Sequence, residues 1–164
     1  MKTLPAVLSL TLALLLGLGA GAQDAPAPRA PDAPAPEKAA PSEDRQSPFE
    51  ASIRALVDAH LKALNEEDLE AVAETMHKDS PVMKQTLAQL PQMFATYDLD
   101  FALVKLKFVG LSDDYAVVRM IQTTKKKAGP DFRDNKVDAM QVLKRQGEKW
   151  TFWTTAVLKV SFDG

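Results

Sequence analysis

Cysteine is absent from the 164 residues. That excludes disulfides, thiolate metal sites and thiol nucleophiles, so whatever folds is held by its core alone. Histidine is scarce as well. His60 and His77 are too few for a multi-histidine metal centre, and no metal or other cofactor is expected. Charge of one sign is also lacking, with 20 Lys and Arg against 22 Asp and Glu. The chain therefore has no strong basic excess of the kind that a nucleic-acid partner demands. Its one basic run, Lys125-Lys126-Lys127, is short and adjoins Gly129-Pro130. It reads as the solvated flank of a hairpin rather than an anion site.

What is present divides the chain into three stretches. Residues 1–22 carry the parts of a secretory signal: Lys2, an apolar stretch from Leu4 to Leu18, and the small residues Ala20-Gly21-Ala22. Gly17 and Gly19 interrupt the apolar run, which disfavours a permanent membrane span, so cleavage after Ala22 is expected rather than an uncleaved anchor. Residues 23–46 alternate Pro, Ala and charge, with no large apolar residue. Nothing there can offset the entropy of ordering, so the stretch is expected to be a disordered, semi-stiff spacer. Residues 47–164 form one domain of common size, long enough for a single core.

The domain opens on helix signals. Ser47-Pro48-Phe49-Glu50 sets Ser as N-cap, Pro in the first turn and Glu three residues after the cap. Ile53, Leu56, Val57, His60, Leu61 and Leu64 then fall on one helical face. Asn65 is expected to cap a second helix, with acidic Glu66, Glu67 and Asp68 at its positive end and Leu69, Val72, Ala73 and Met76 as its stripe. Ser80-Pro81 repeats the signal for a third helix, and Pro91 predicts a break or kink in it.

After Tyr97 the period changes to two. Leu99, Phe101 and Leu103 alternate, then Val104, Leu106 and Phe108 alternate in the other phase, which predicts a β-bulge near Leu103-Val104 or a strand buried on both faces. Further strands are expected at 115–124, 136–145 and 149–162. They are joined by a turn at Ser112-Asp113-Asp114, a loop over 125–134 and a tight turn at Gln146-Gly147-Glu148. Short connections make the sheet antiparallel.

Three helices followed by a bent four-stranded antiparallel sheet resembles the nuclear transport factor 2-like (SnoaL-like) superfamily. The Leu64-Asn65-Glu66-Glu67-Asp68-Leu69-Glu70 junction is similar to that family's entry into its second helix. Gly147-Glu148-Lys149-Trp150-Thr151-Phe152 is similar to its last hairpin. The stretches Met76 to Pro81 and Gly129 to Asn135 resemble small bacterial members without assigned activity. The resemblance implies an α+β, cone-shaped fold, with three N-terminal helices packed on the curved sheet and a cavity at the open end. The superfamily includes ketosteroid isomerase, scytalone dehydratase, epoxide hydrolases and polyketide cyclases, and also non-enzymatic binding and dimerising members. Here Asp79-Ser80-Pro81 leads straight into a third helix, where the enzymes commonly place a short strand bearing a catalytic Asp. No residue maps cleanly onto their catalytic sets.

The candidate ligand contacts are His60, Tyr97, Arg119, Asp138 and Gln141. His60 lies on the apolar stripe, either as a cavity acid/base or as a hydrogen-bonded core histidine. Arg119 and Asp138 interrupt apolar strands and are expected to pair, facing either the cavity or the solvent. His77 and Asp79 are expected to meet Arg133, Asp134 and Asn135 at the mouth, tying hairpin to helices. Trp153 is expected on the face opposite Trp150 and Phe152, together with Thr155 and Val157. That outer apolar face, like the family's habit, points to a homodimer. The reading favoured is an exported, periplasmic or secreted, non-catalytic domain for a small apolar or amphipathic ligand or a protein partner. The alternatives are a small lyase or isomerase using His60 or Asp138 with Arg119 in support, and a dimerisation scaffold. Intact mass of the exported protein checks the leader: it should begin at Gln23, and a chain retaining residues 1–22 would contradict the expected cleavage.

Overall fold

A computed structural model describes residues 48–162. The expected leader and spacer, and Ser47 as a cap, lie outside the described residues. Three helices, α1 (Pro48–Asn65), α2 (Leu69–Thr75) and α3 (Met83–Thr96), precede four strands, β1 (Asp98–Ser112), β2 (Tyr115–Ala128), β3 (Asn135–Gln146) and β4 (Lys149–Phe162). The strands form one antiparallel sheet in the order β1-β2-β3-β4. This is the expected α+β class and the expected curved, four-stranded sheet.

Helix α1 buries Ile53, Val57, Leu61 and Leu64, the stripe read from the sequence. It packs against both β1 and β4, the two edges of the sheet. A flat sheet of four strands could not bring both edges to one helix, since neighbouring strands are about 4.8 Å apart. The sheet must therefore curl around α1. Bulges supply the bend. The register slips between Leu103 and Lys105, where a bulge was expected, and again between Phe108 and Gly110. Two further slips in β4 fall at Trp153 and Leu158. At one end the gap is closed by aromatic rings. Phe49 meets Phe108 at 5.0 Å and Trp150 at 5.4 Å, both edge to face.

Several local expectations are corrected. Asn65 does not cap α2; Asp68 does, its Oδ1 accepting from Ala71 N at 2.9 Å. Glu67 takes a left-handed φ of 56°, so the turn consumes two residues, Glu66 and Glu67, before the cap. Asn65 instead ends α1 and clamps the edge of the sheet. Its Oδ1 accepts from Phe101 N at 2.7 Å and its Nδ2 donates to Phe101 O at 2.9 Å. Helix α3 starts at Met83, because Ser80 Oγ turns to Trp153 O (2.7 Å) and caps only Val82 N, at 3.3 Å. It runs through Pro91 unbroken. A proline removes one N–H, and Leu90 and Met93 on either side are buried and hold the turn.

The loop expected at 125–134 is shorter than read. Strand β2 continues through Lys125-Lys126-Lys127 because β1 begins early, at Asp98, and offers carboxylates opposite: Asp100 pairs with Lys125, and Lys127 Nζ reaches Asp98 Oδ1 at 3.0 Å. Gly129 then turns at φ 114°, where a Cβ would meet Thr96 O at 2.7 Å. The bulge at Trp153 overturns the phase expected for β4. Phe152 pairs with Leu143, Thr155 with Gln141 and Val157 with Ala139. These are all inward-facing partners, so Thr155 and Val157 share the inner face with Phe152. An alternation counted along one strand cannot anticipate an inserted residue.

Asn65→Ala is expected to leave both backbone groups of Phe101 without their partner and to cost about 2 kcal/mol. Urea unfolding reads this as a lower midpoint at unchanged slope; an unmoved midpoint would show that the clamp contributes nothing.

Candidate functional site

Because α1 is held by the edge strands, it stands off the middle strands, and a cavity of about 70 Å³ opens between them. One enclosed water requires about 10–15 Å³ on the same measure, so the hollow has room for several waters or part of a small organic molecule. His60 and Leu64 of α1 form one wall. Met120, Gln122 and Thr124 of β2 and Val137, Ala139 and Gln141 of β3 form another. Each set is spaced by two, as one face of a strand must be. Met76, Phe152 and Val82 complete the apolar lining, and Thr86, Trp153, Thr154 and Thr155 the rest.

His60 is fixed by a chain of hydrogen bonds. Thr75 Oγ1 donates to Val72 O at 2.6 Å. A hydroxyl has one proton, so the 2.6 Å contact with His60 Nδ1 must have the ring donating to Thr75. Nε2 is then the nitrogen that carries the lone pair. The ring also rests on Phe152, with centroids 4.7 Å apart. Burial among these groups lowers the His60 pKa to about 4, which leaves the ring neutral at pH 7. Gln141 accepts from the Thr155 hydroxyl through Oε1, leaving its amide nitrogen to donate.

The expected site residues separate into three places. His60 and Gln141 do line the cavity. Tyr97 lies at the α3–β1 joint against Phe132, with centroids 5.6 Å apart, and is not part of the lining. Arg119 and Asp138 face away from it. Arg119 pairs with Met140, and Asp138 with Ile121, in the row opposite Met120 and Ala139. The two form a two-pronged ion pair across the outer face at 2.8 and 2.5 Å. Arg119 holds the Asp138 carboxyl below its ordinary range, and Asp138 raises the guanidinium in turn. This is a cross-strand pair on the solvent side, one of the two placements the sequence allowed.

The expected mouth cluster does not assemble. His77 N donates to Phe152 O at 2.9 Å, and its ring sits edge-on to Trp153 at 5.0 Å. Its Nδ1 accepts from Asp79 N at 3.1 Å, a turn that lays the chain along the exposed edge of β4. Asn135, in contrast, pairs with Phe162. Ten residues of β4 separate Phe152 from Phe162, roughly 33 Å of strand, so the two groups occupy opposite ends of the sheet. There Arg133 covers the Phe162 ring at 4.6 Å and Asp134 accepts from Lys126 N at 2.9 Å. Both clusters serve structure separately.

The sequence reading missed Gln122 and Thr124. Their signal was present: polar residues continuing the apolar phase of Ala116, Val118 and Met120. No carboxylate, Lys or Arg lines the cavity. Among the described residues no three His, Asp or Glu side chains gather as metal ligands, and no helix is long and apolar enough to cross a membrane.

The sequence matches the family described as "Anti-sigma-I factor RsgI9, C-terminal domain" over residues 55–162. No curated protein matches it. Among solved structures, a cystatin-like-fold protein of unknown function from Nostoc punctiforme superposes with a TM-score of 0.57 at 14% identity, covering 70% of this chain and 93% of that one. A provisionally named dehydratase of the nuclear transport factor 2-like family from Streptomyces avermitilis gives 0.53 at 16%, covering 64% and 91%. An uncharacterised cystatin-like-fold protein from Caulobacter vibrioides gives 0.55 at 16%, covering 66% and 89%. At these identities the likeness is one of fold.

The lowered pKa of His60 fixes a pH dependence. Below pH 6.5 the unfolded chain gains a proton that the folded protein refuses until about pH 4. Stability should therefore fall as pH drops through that window, by up to about 3 kcal/mol, and be insensitive to this group above it. His60→Asn keeps a donor for Thr75 and cannot titrate. Urea unfolding of the two proteins across the window should show the steeper loss in wild type; parallel curves would contradict the half-buried, neutral ring.

Proposed function

The chain belongs to the family of the anti-sigma-I factor RsgI9 C-terminal domain, within the nuclear transport factor 2-like superfamily, and from that premise we propose that its domain is a non-catalytic binding module whose cavity takes a small apolar or amphipathic ligand. The family's name comes from a regulator rather than an enzyme. The observation that carries the reading is the lining: mostly apolar, with a few oriented polar groups and no charged side chain. General acid/base catalysis needs groups whose pKa lies near the working pH. His60, lowered to about 4, has no carboxylate or cation beside it in the cavity to share that work. The lyase or isomerase reading used His60 or Asp138 with Arg119 in support; Asp138 and Arg119 stand on the other face of the sheet, which leaves His60 alone in the cavity.

Export by the N-terminal leader belongs to the same proposal and rests on the pattern of residues 1–22. So does a homodimer through the outer sheet face. Its support is now the half-buried row Val117, Ile121, Met140 and Val142 rather than Val157. A rim of Lys105, Lys107 and Lys159 would have to stay solvated in such a dimer.

A thermal-shift screen of small neutral and charged compounds tests the cavity. A neutral binder at about ten times its Kd should add about 1.4 kcal/mol and raise Tm by roughly 5 °C. Ala139→Leu, which fills the centre of the hollow, should abolish the shift while leaving the fold intact by circular dichroism. Shifts that survive Ala139→Leu, or turnover of the bound compound, would overturn the reading, and sedimentation of the same samples reads the dimer.

A further inference from the structure

The inner rows of β2 and β3 end on two polar side chains directly opposite each other, Thr124 and Asn135. Both are deeply buried, at 1% and 4% exposure. Thr124 lines the cavity, and its Oγ1 has no protein partner. Asn135 donates from Nδ2 to Arg133 O at 3.3 Å, which turns Oδ1 the other way and leaves it without a partner too. Two adjacent buried oxygens lacking partners are uncommon, because each carries a desolvation penalty that apolar side chains of the same shape would avoid. The neighbouring inward position, Val137, shows that an apolar residue fits this row.

We propose that Thr124 is a recognition point for a neutral ligand that presents a hydroxyl or an N–H at this end of the cavity. The inference rests on the cavity being a binding site and specifies what it selects. Asn135 faces Thr124 across the ladder but is not part of the lining. The Thr124 hydroxyl can accept as well as donate, so a ligand hydroxyl beside it satisfies the unpartnered oxygen. A cationic donor is disfavoured. The cavity lining holds no anion to neutralise it, and the nearest carboxylate in the loop, Asp134, already accepts from Lys126 N at 2.9 Å. An anionic ligand meets no lining cation. His60 Nε2, an acceptor farther along the cavity, favours the same class of neutral donor.

Phenol and toluene, nearly isosteric and differing in hydroxyl against methyl, are the probes, with binding read by calorimetry on the folded chain. Wild type should prefer phenol by roughly three- to tenfold, the usual worth of one such hydrogen bond. Thr124→Val should erase that preference while keeping toluene binding, and Thr124→Ser should retain it. The ligand-free Thr124→Val protein should also melt higher than wild type, since an unpartnered hydroxyl is replaced by a methyl. Equal binding of the two probes by wild type, a preference that survives Thr124→Val, or a lower melting point for that variant would overturn the site while leaving the cavity as a binder. Failure of both probes and of the wider neutral screen would overturn the binding reading itself.

Discussion

One packing constraint organises this domain: a single helix, α1, is in contact with both edge strands of a four-stranded sheet. The apolar stripe of α1 must be buried, and it packs against α2 on one side and against β1 and β4 of the sheet. Meeting both strands forces the sheet to curl, and the bulges along β1 and β4 are where the curling is accommodated. Large side chains at the contacts then set the stand-off. Phe49, Phe108 and Trp150 wedge one end, and Leu64, Phe101 and Phe152 are buried farther along. The helix cannot descend onto β2 and β3 without breaking these contacts. The hollow follows from the same packing that makes the core.

The electrostatic character of the hollow follows from the pleat. Each strand sends alternate side chains inward. In β2 and β3 the inward rows are Met120, Gln122, Thr124 and Val137, Ala139, Gln141, while Arg119 and Asp138 fall in the outward rows. An ion pair costs little at a solvated surface, where its charges keep most of their hydration. Placed inward, it would have to recover that hydration from a lining that has few polar groups. The neutrality of His60 belongs to the same environment: a ring enclosed by Phe152 and bonded to a hydroxyl has nothing to stabilise a positive charge.

Much of this was legible in the sequence because it depends on period alone. The three helices, the four strands, the buried stripe of α1 and the first bulge of β1 each follow from spacing within one segment. What was not legible depends on two segments at once. Asn65 carries every mark of a helix cap, yet its amide is claimed by Phe101, thirty-six residues away. The basic run at Lys125 is solvated as read, but its place in a strand was hidden because its counter-charges, Asp98 and Asp100, lie on another strand. Trp153 inverted the face of the stretch up to Leu158, where a second bulge restores it, because a bulge is a property of the pair and not of the strand. For the cavity, His60 and Gln141 could be picked out as polar residues on apolar faces, while Tyr97, Arg119 and Asp138 could not be excluded without knowing the register.

The framework itself does not choose a chemistry, since relatives of this fold include proteins named as enzymes and proteins of unknown function. What sets the character of the hollow is which side chains the inward rows carry. A curled sheet with an ordinary core would place bulky apolar residues opposite α1 and fill the gap. Here Ala139 is too small to reach across, and Gln122, Thr124 and Gln141 are polar where filling would need hydrocarbon. Such substitutions are unfavourable for a protein whose interior is only packing, because they trade dispersion contacts for unpaired polar atoms. They become favourable once something with complementary polarity occupies the space. Thr124 Oγ1, without a partner at 1% exposure, is therefore the atom on which the proposed binding reading turns.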